Sequence, residues 1–157
     1  MEKIPMTKSG HTAVEVELKN LKTVERPAII AAIAEAREHG DLSENAEYHA
    51  AKERQGHIQG RIAALDDKLA RAQVIEQGEG DPEKVQFGVT VVLTDLESDE
   101  KVTYRIVGED EADPKQGMIS VTSPVARALM NKQVDDEVIV KAPKGDRELE
   151  ILEIRFD

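Results

Sequence analysis

"GDLSENAEYHAAKERQ", residues 40–55, puts three carboxylates, Asp41, Glu44 and Glu47, within one short stretch. The runs on either side of it have helical period. Before it, Val14, Leu18 and Leu21 recur at steps of four and three, and Ile29, Ile33 and Ala36 do the same. After it, Ala51, Gln55, Ile58, Ile62, Leu65, Leu69 and Ala72 alternate steps of four and three. That is the apolar stripe of a helix that packs on another helix. Two such stripes flanking a short turn predict an antiparallel hairpin, with an intermolecular coiled coil as the rival arrangement. Helices of about 30 residues would make an arm of roughly 45 Å at 1.5 Å per residue. Pro27 lies inside the first run. It lacks a backbone donor, so a kink or restart is expected there.

The acidic turn has two local readings. Asp41 as N-cap with Glu44 three residues on is the spacing of a capping box. Alternatively, both carboxylates project from the end of the arm, where they could hold a hard cation. Mg²⁺ takes one or two protein carboxylates and fills its remaining positions with water or substrate phosphate. A pair of exposed carboxylates would be half a site, completed by another molecule. Arg37, Lys52 and Arg61 lie on the two helices. A solvated face is the ordinary role for such residues, but Arg37 and Lys52 bracket the turn and are candidates for a nearby phosphate.

Composition narrows the rest. The chain has 157 residues, 39% hydrophobic and 34% charged, with two Phe, two Tyr, no Trp and no Cys. Any core is therefore mainly aliphatic, and disulfides, thiolate metal sites and a cysteine nucleophile are excluded. The absence of Cys fits a reducing cytoplasm. "MEKIPMTKSG" has no apolar run after its charges and is not read as a secretory signal. No apolar stretch approaches the roughly 20 residues of a membrane span. His11, His39, His49 and His57 have no HExxH spacing, Ser120 and Ser123 show no His–Asp partner pattern, and Gly78 and Gly80 form no phosphate loop. The chain does not read as a self-sufficient enzyme.

Net charge is −11: residues 1–76 carry 11 Lys+Arg against 13 Asp+Glu, and residues 77–157 carry 10 against 19. Phosphate binding relies on clustered Lys and Arg, so duplex nucleic acid is not an expected stand-alone ligand, and sequence-specific DNA binding is not expected.

The period changes after "EQGEGDPEK", residues 76–84, where Gly78, Gly80 and Pro82 punctuate a stretch with no apolar face. The expected organisation is an arm over 1–76, a linker over 77–84 and a second domain over 85–157. "VQFGVTVVL" (85–93), "KVTYRIVG" (101–108), "GMISVTS" (117–123), "DEVIVKAP" (136–143) and "RELEILEIRFD" (147–157) alternate as strands. Leu149 and Ile151 share one parity and Leu152, Ile154 and Phe156 continue on the other, which predicts a bulge near Ile151. "SPVARALM" (123–130) predicts a short helix capped by Ser123, with Pro124 at its first position. The fold class is α+β: a helical hairpin, then a mostly antiparallel sheet with one short helix.

"IPMT" with Gly10, "RPAIIAAIAEAREHGDLSENAEYHAAKERQG" and "ISVTSPVARALMNKQVDDEV" together resemble the Gre family of bacterial transcript cleavage factors, in the family's order and over nearly the whole chain. Asn131 stands where a Gly is common, and Asp135-Asp136 where Gly-Asp is common. The resemblance implies a coiled-coil arm followed by an FKBP-like domain that docks on RNA polymerase at its secondary channel. The arm would enter the channel, and the factor, monomeric and cytoplasmic, would stimulate the polymerase's own cleavage of backtracked RNA. It further implies that Asp41 and Glu44 help hold the second Mg²⁺ of the polymerase, while Arg37 and Lys52 contact the extruded 3′ end of the RNA. Asn45 and Glu47 are taken to support the turn, and Tyr48 to pack the hairpin end, with RNA contact as its alternative. The rival classes are a channel-binding inhibitor, against which the intact "DLSENAEY" argues, a prolyl isomerase, for which Phe87, Tyr104 and Phe156 make a sparse pocket, and a coiled-coil adaptor.

Overall fold

The computed structural model describes residues 2–40, 44–77 and 81–156. The chain divides into two compact units, one built on Ser9–Ala72 and the other on Gln73–Asp157 together with Ile4–Lys8.

In the first unit, helix α1 (Lys8–Asn20) runs through a π-helical turn (Leu21–Glu25) into α2 (Arg26–Arg37), and α3 (Ala46–Arg71) returns beside it. The restart expected at Pro27 is present: α2 begins at Arg26 and carries the proline in its first turn. The π-helical turn directly precedes it, so the chain gains the extra residue that keeps the proline ring off the preceding turn. The Arg26 N–H bonds the Leu21 carbonyl, five residues back. The Thr23 hydroxyl donates to the Lys19 carbonyl at 2.7 Å, as short polar side chains do where a helix ladder is disturbed. The seam is the one read from the sequence: Leu18, Ile29 and Ile33 pack on Ala51, Ile58, Ile62 and Leu65, with Val14, Leu21, Tyr48 and Leu69 at its margins. Ion pairs cross the hairpin along its length, Arg61–Glu17 at 2.8 Å, Arg54–Glu25 at 3.1 Å and Lys22–Asp66 at 3.4 Å. The two helices thus lie antiparallel within one chain.

The second unit holds a small sheet of β1 (Ile4–Met6) with β2 (Ala72–Val74), and a five-stranded sheet. The larger sheet comprises β3 (Thr90–Asp95), β4 (Lys101–Val107), β5 (Met118–Ser120), β6 (Glu137–Val140) and β7 (Arg147–Arg155), in the order β5-β4-β3-β7-β6. It is mixed rather than purely antiparallel, because β5 runs parallel to β4. The segment between them, with two short 3₁₀ turns at Glu109–Glu111 and Pro114–Gln116, brings the chain back to the same end of the sheet. Helix α4 (Pro124–Leu129) starts as predicted, with the Ser123 hydroxyl accepting from the Ala126 N–H at 3.2 Å.

Two strand expectations met the structure differently. The bulge is present: Val92 opposes Glu153 and Leu93 opposes Ile151, so Leu152 is the extra residue. The first strand begins at Thr90, not Val85, because Gly88 turns the chain at φ +88. Val85 still pairs, exchanging backbone hydrogen bonds with Asn131 and Lys132. Asn131 and Asp135, the two departures from the family's glycines, have φ of 68° and 74°. Those are left-handed conformations, in which Asn and Asp are the best-tolerated residues after Gly.

The residues Ile4–Lys8 are fastened into the second unit. The Ile75 N–H donates to the Met6 carbonyl at 3.0 Å. The Glu111 carboxylate accepts from the Thr7 N–H at 3.1 Å, from the Thr7 hydroxyl, and from the Gly108 N–H at 3.0 Å. A Cβ at Gly108 would lie 2.4 Å from the Pro5 carbonyl oxygen, so only glycine admits this approach.

The arm tip as the candidate functional site

The turn between α2 and α3 collects most of the residues picked out in the sequence. Asp41 falls outside the described residues. Glu44 stands in the turn, exposed. The cap reading of the acidic pair is not what α3 uses. Its N-cap is Asn45, whose Oδ1 accepts from the Tyr48 N–H at 3.0 Å. The residue three positions after the cap is therefore Tyr48, not Glu44. With the cap filled by Asn45, α3 has no capping task for Glu44, and among the described residues its carboxylate has no hydrogen-bond or ion-pair partner. Glu47 lies exposed in the first turn of α3, where the positive end of the helix dipole favours a carboxylate.

At the other side of the turn, α2 ends in a tightened turn, with the Glu38 N–H on the Glu35 carbonyl at 3.1 Å and the His39 N–H on the Ala36 carbonyl at 3.2 Å. The Ala36 carbonyl accepts a second bond, from Asn45 Nδ2 at 2.7 Å. One amide therefore spans the two helices. Sequence reading gave Asn45 only a general supporting role. The hint available was an Asn immediately before a helical run, but its second bond joins residues nine apart and has no local pattern.

Both basic candidates are at this end and exposed. The Arg37 guanidinium lies over the Tyr48 ring, 5.8 Å from its centroid, within range of a cation–π attraction. Tyr48 packs against the seam and meets the His49 ring edge-on at 5.6 Å. Packing is thus a role Tyr48 has, with Arg37 resting on its face. Among the described residues, Lys52 Nζ reaches only the Gln55 side chain, at 3.2 Å. Arg61 is set apart from this group. It makes a two-point contact with Glu17 at 2.8 and 2.9 Å, well along the hairpin.

The described tip residues thus include the exposed carboxylates of Glu44 and Glu47, at the end of the arm that also carries Arg37 and Lys52. No group of three or more His, Cys, Asp or Glu side chains placed to hold a metal occurs among the described residues. Carboxylate oxygens nevertheless suit Mg²⁺, and one or two of them fit an ion whose other ligands come from a second molecule.

Comparison with known proteins covers both halves. Residues 4–74 match the family model described as "Transcription elongation factor, N-terminal", and residues 80–156 match "Transcription elongation factor, GreA/GreB, C-term". The chain is 62% identical to the transcription elongation factor GreA of Hyphomonas neptunium and 59% identical to that of Phenylobacterium zucineum, each over 99% of both chains. Among solved structures, the GreA factor homolog 1 protein of Thermus thermophilus is 28% identical with a TM-score of 0.43, covering 98% of this chain and 99% of that one. None of the described helices is long and apolar enough to cross a membrane. Neither the described tip residues nor the curated relatives support the inhibitory alternative. With both halves matched and full-length relatives at this identity, the chain belongs to the GreA/GreB family of transcription elongation factors.

Proposed function

We propose that the chain stimulates the endonucleolytic activity of RNA polymerase on backtracked transcripts, with its arm in the secondary channel and its acidic tip in the polymerase active centre. The observation that carries this reading is Glu44: an exposed carboxylate at the turn of a helical hairpin whose cap is supplied by another residue.

In this reading Glu44, with Asp41, would supply oxygen ligands to a polymerase-bound Mg²⁺ and would accept a hydrogen bond from the attacking water. When bound there, Mg²⁺ would supply charge stabilisation to the phosphodiester oxygens. Arg37 and Lys52 neutralise phosphates of the extruded RNA 3′ end. Arg37 resting on Tyr48 is partly preorganised for that contact, because its side chain has less freedom to lose. The catalytic centre belongs to the polymerase, and the free factor does not cleave RNA.

The test adds purified protein to a stalled, backtracked polymerase complex carrying 3′-labelled RNA in Mg²⁺. Asp41→Asn and Glu44→Gln are run beside the wild type. Short labelled 3′ fragments with the wild type, lost in both variants while helix content is retained, are expected. Fragments that persist in both variants would move the chemistry away from the tip. Slowed elongation without cleavage would mark a blocker of the channel.

A further inference from the structure

We infer that Asn45 is the positioning residue of the acidic tip, a side-chain staple that holds the C-terminus of α2 and the N-terminus of α3 in the register Glu44 needs. This inference rests on the function proposed above. Helix ends leave carbonyls of the last turn and N–H groups of the first turn without partners in the ladder. Asn45 reaches one group at each end: Nδ2 adds a second bond, at 2.7 Å, to the Ala36 carbonyl that already accepts from the His39 N–H, and Oδ1 accepts from the Tyr48 N–H at 3.0 Å. The two partners fix the orientation of the amide, since a carbonyl can only accept and an N–H can only donate. Both anchors are packed into the hairpin. Ala36 is buried in the arm at 2% exposure and Tyr48 packs on the seam. Glu44 is the residue immediately before the staple, so the backbone carrying its carboxylate is tied to both helices at once.

Asparagine is particular to this task. Aspartate keeps the acceptor for the Tyr48 N–H, and its charge suits the N-terminus of α3. It cannot donate, and it sets a negative oxygen against the Ala36 carbonyl. Serine also caps α3, but its side chain is a full group shorter. Asn45→Asp and Asn45→Ser thus keep the cap and remove the staple.

Both variants would be assayed for cleavage of the backtracked complex over a range of factor and Mg²⁺ concentrations, with Glu44→Gln in parallel and helix content measured by circular dichroism. The expected result is helix content and half-saturating factor concentration near wild type. The maximal cleavage rate should fall about 10- to 100-fold, as small misplacements of reacting groups do, and recover partly at raised Mg²⁺. A residue that served only folding would change helix content and leave the Mg²⁺ dependence alone. Wild-type rate and Mg²⁺ dependence in both Asn45 variants, with Glu44→Gln inactive, would overturn the staple and leave the tip reading standing. Loss of helix in both would reduce Asn45 to a folding role and overturn it as well. Full activity of Glu44→Gln would overturn the tip reading itself, and the staple with it.

Discussion

The arm and the sheet domain are held together to different degrees. In the sheet domain, Val85, Val89, Val91, Leu93, Ile106, Leu129, Leu149 and Ile151 are all 0% exposed. In the arm, Leu65 alone among the seam residues reaches 0%, and Leu18, Ile29, Ile33, Ala51, Ile58 and Ile62 lie between 6% and 9%. The reason is geometric. A sheet with a helix laid on it encloses its core from several sides, whereas two helices meet along one line and leave solvent on both sides of it. The difference teaches where change is tolerated. Of the residues proposed to act on RNA, Arg37, Glu44 and Lys52 sit on exposed positions at the turn end of the less enclosed unit, so they can be altered with little structural cost. The other unit holds most of the fully buried side chains.

The strongest challenge to this contrast is Leu93→Ala. Removing a fully enclosed leucine should cost about 3–5 kcal/mol. Hydrogen exchange read peptide by peptide in mild urea should show the loss across the five-stranded sheet, and an equal loss confined to 46–71 would break the comparison. Next comes Glu44→Gln, which should lower stimulated cleavage by about 10²–10³-fold, the range for deleting one preorganised charge-stabilising group. Its melting temperature should match the wild type, and a clear drop would mean that Glu44 has a structural task. Ile62→Ala follows, at about 2 kcal/mol, the low end for such truncations, because a two-helix seam can close over the gap. A loss in the arm as large as that of Leu93→Ala would erase the distinction.

The smallest effect concerns pH. The hydrogen bond from Arg61, against a smaller opposing burial effect and aided by the positive charge of Arg61, holds the Glu17 carboxyl below its ordinary 4.5. A depressed carboxylate contributes stability that is present above the ordinary value and is lost as pH falls through the folded value. Arg61 and Glu17 are 46% and 43% exposed, so solvent screening limits the pair to less than about 1 kcal/mol. Arm unfolding followed at 222 nm should weaken slightly on acidification below pH 4.5, and Glu17→Gln should remove that part of the pH dependence. An unchanged profile in Glu17→Gln would show the pair to be energetically idle.

Much of the arm was legible because its signal is local and repetitive. The steps of four and three pick out Leu18, Ile29, Ile33, Ala51, Ile58, Ile62 and Leu65, and these pack together in the seam. The bulge at Leu152 was legible for a similar reason: a period-two pattern that slips by one must carry an extra residue. Elsewhere local pattern misled. The alternation in "VQFGVTVVL" extends to Val85, yet the strand waits until Thr90, since Gly88 takes a left-handed turn that alternation does not register. The kink or restart expected at Pro27 is present, but its form, a π-helical turn ahead of a new helix that begins at Arg26, is not something the proline alone specifies. Asp41 and Glu44 had the spacing of a cap, yet Asn45 performs it.

By itself the sequence determined the hairpin, the change from helical to strand period, the bulge, the Ser123 cap and the acidic character of the turn. Each is set by neighbours within a few residues, where side-chain period and backbone preference act directly. Tertiary structure alone decided that Ile4–Lys8 joins the second unit, that β5 lies parallel to β4, and that Asn45 bridges α2 to α3. Those outcomes depend on hydrogen-bonding groups far apart in the chain or on separate elements, such as Thr7 and Glu111, finding partners only after the elements between them have packed.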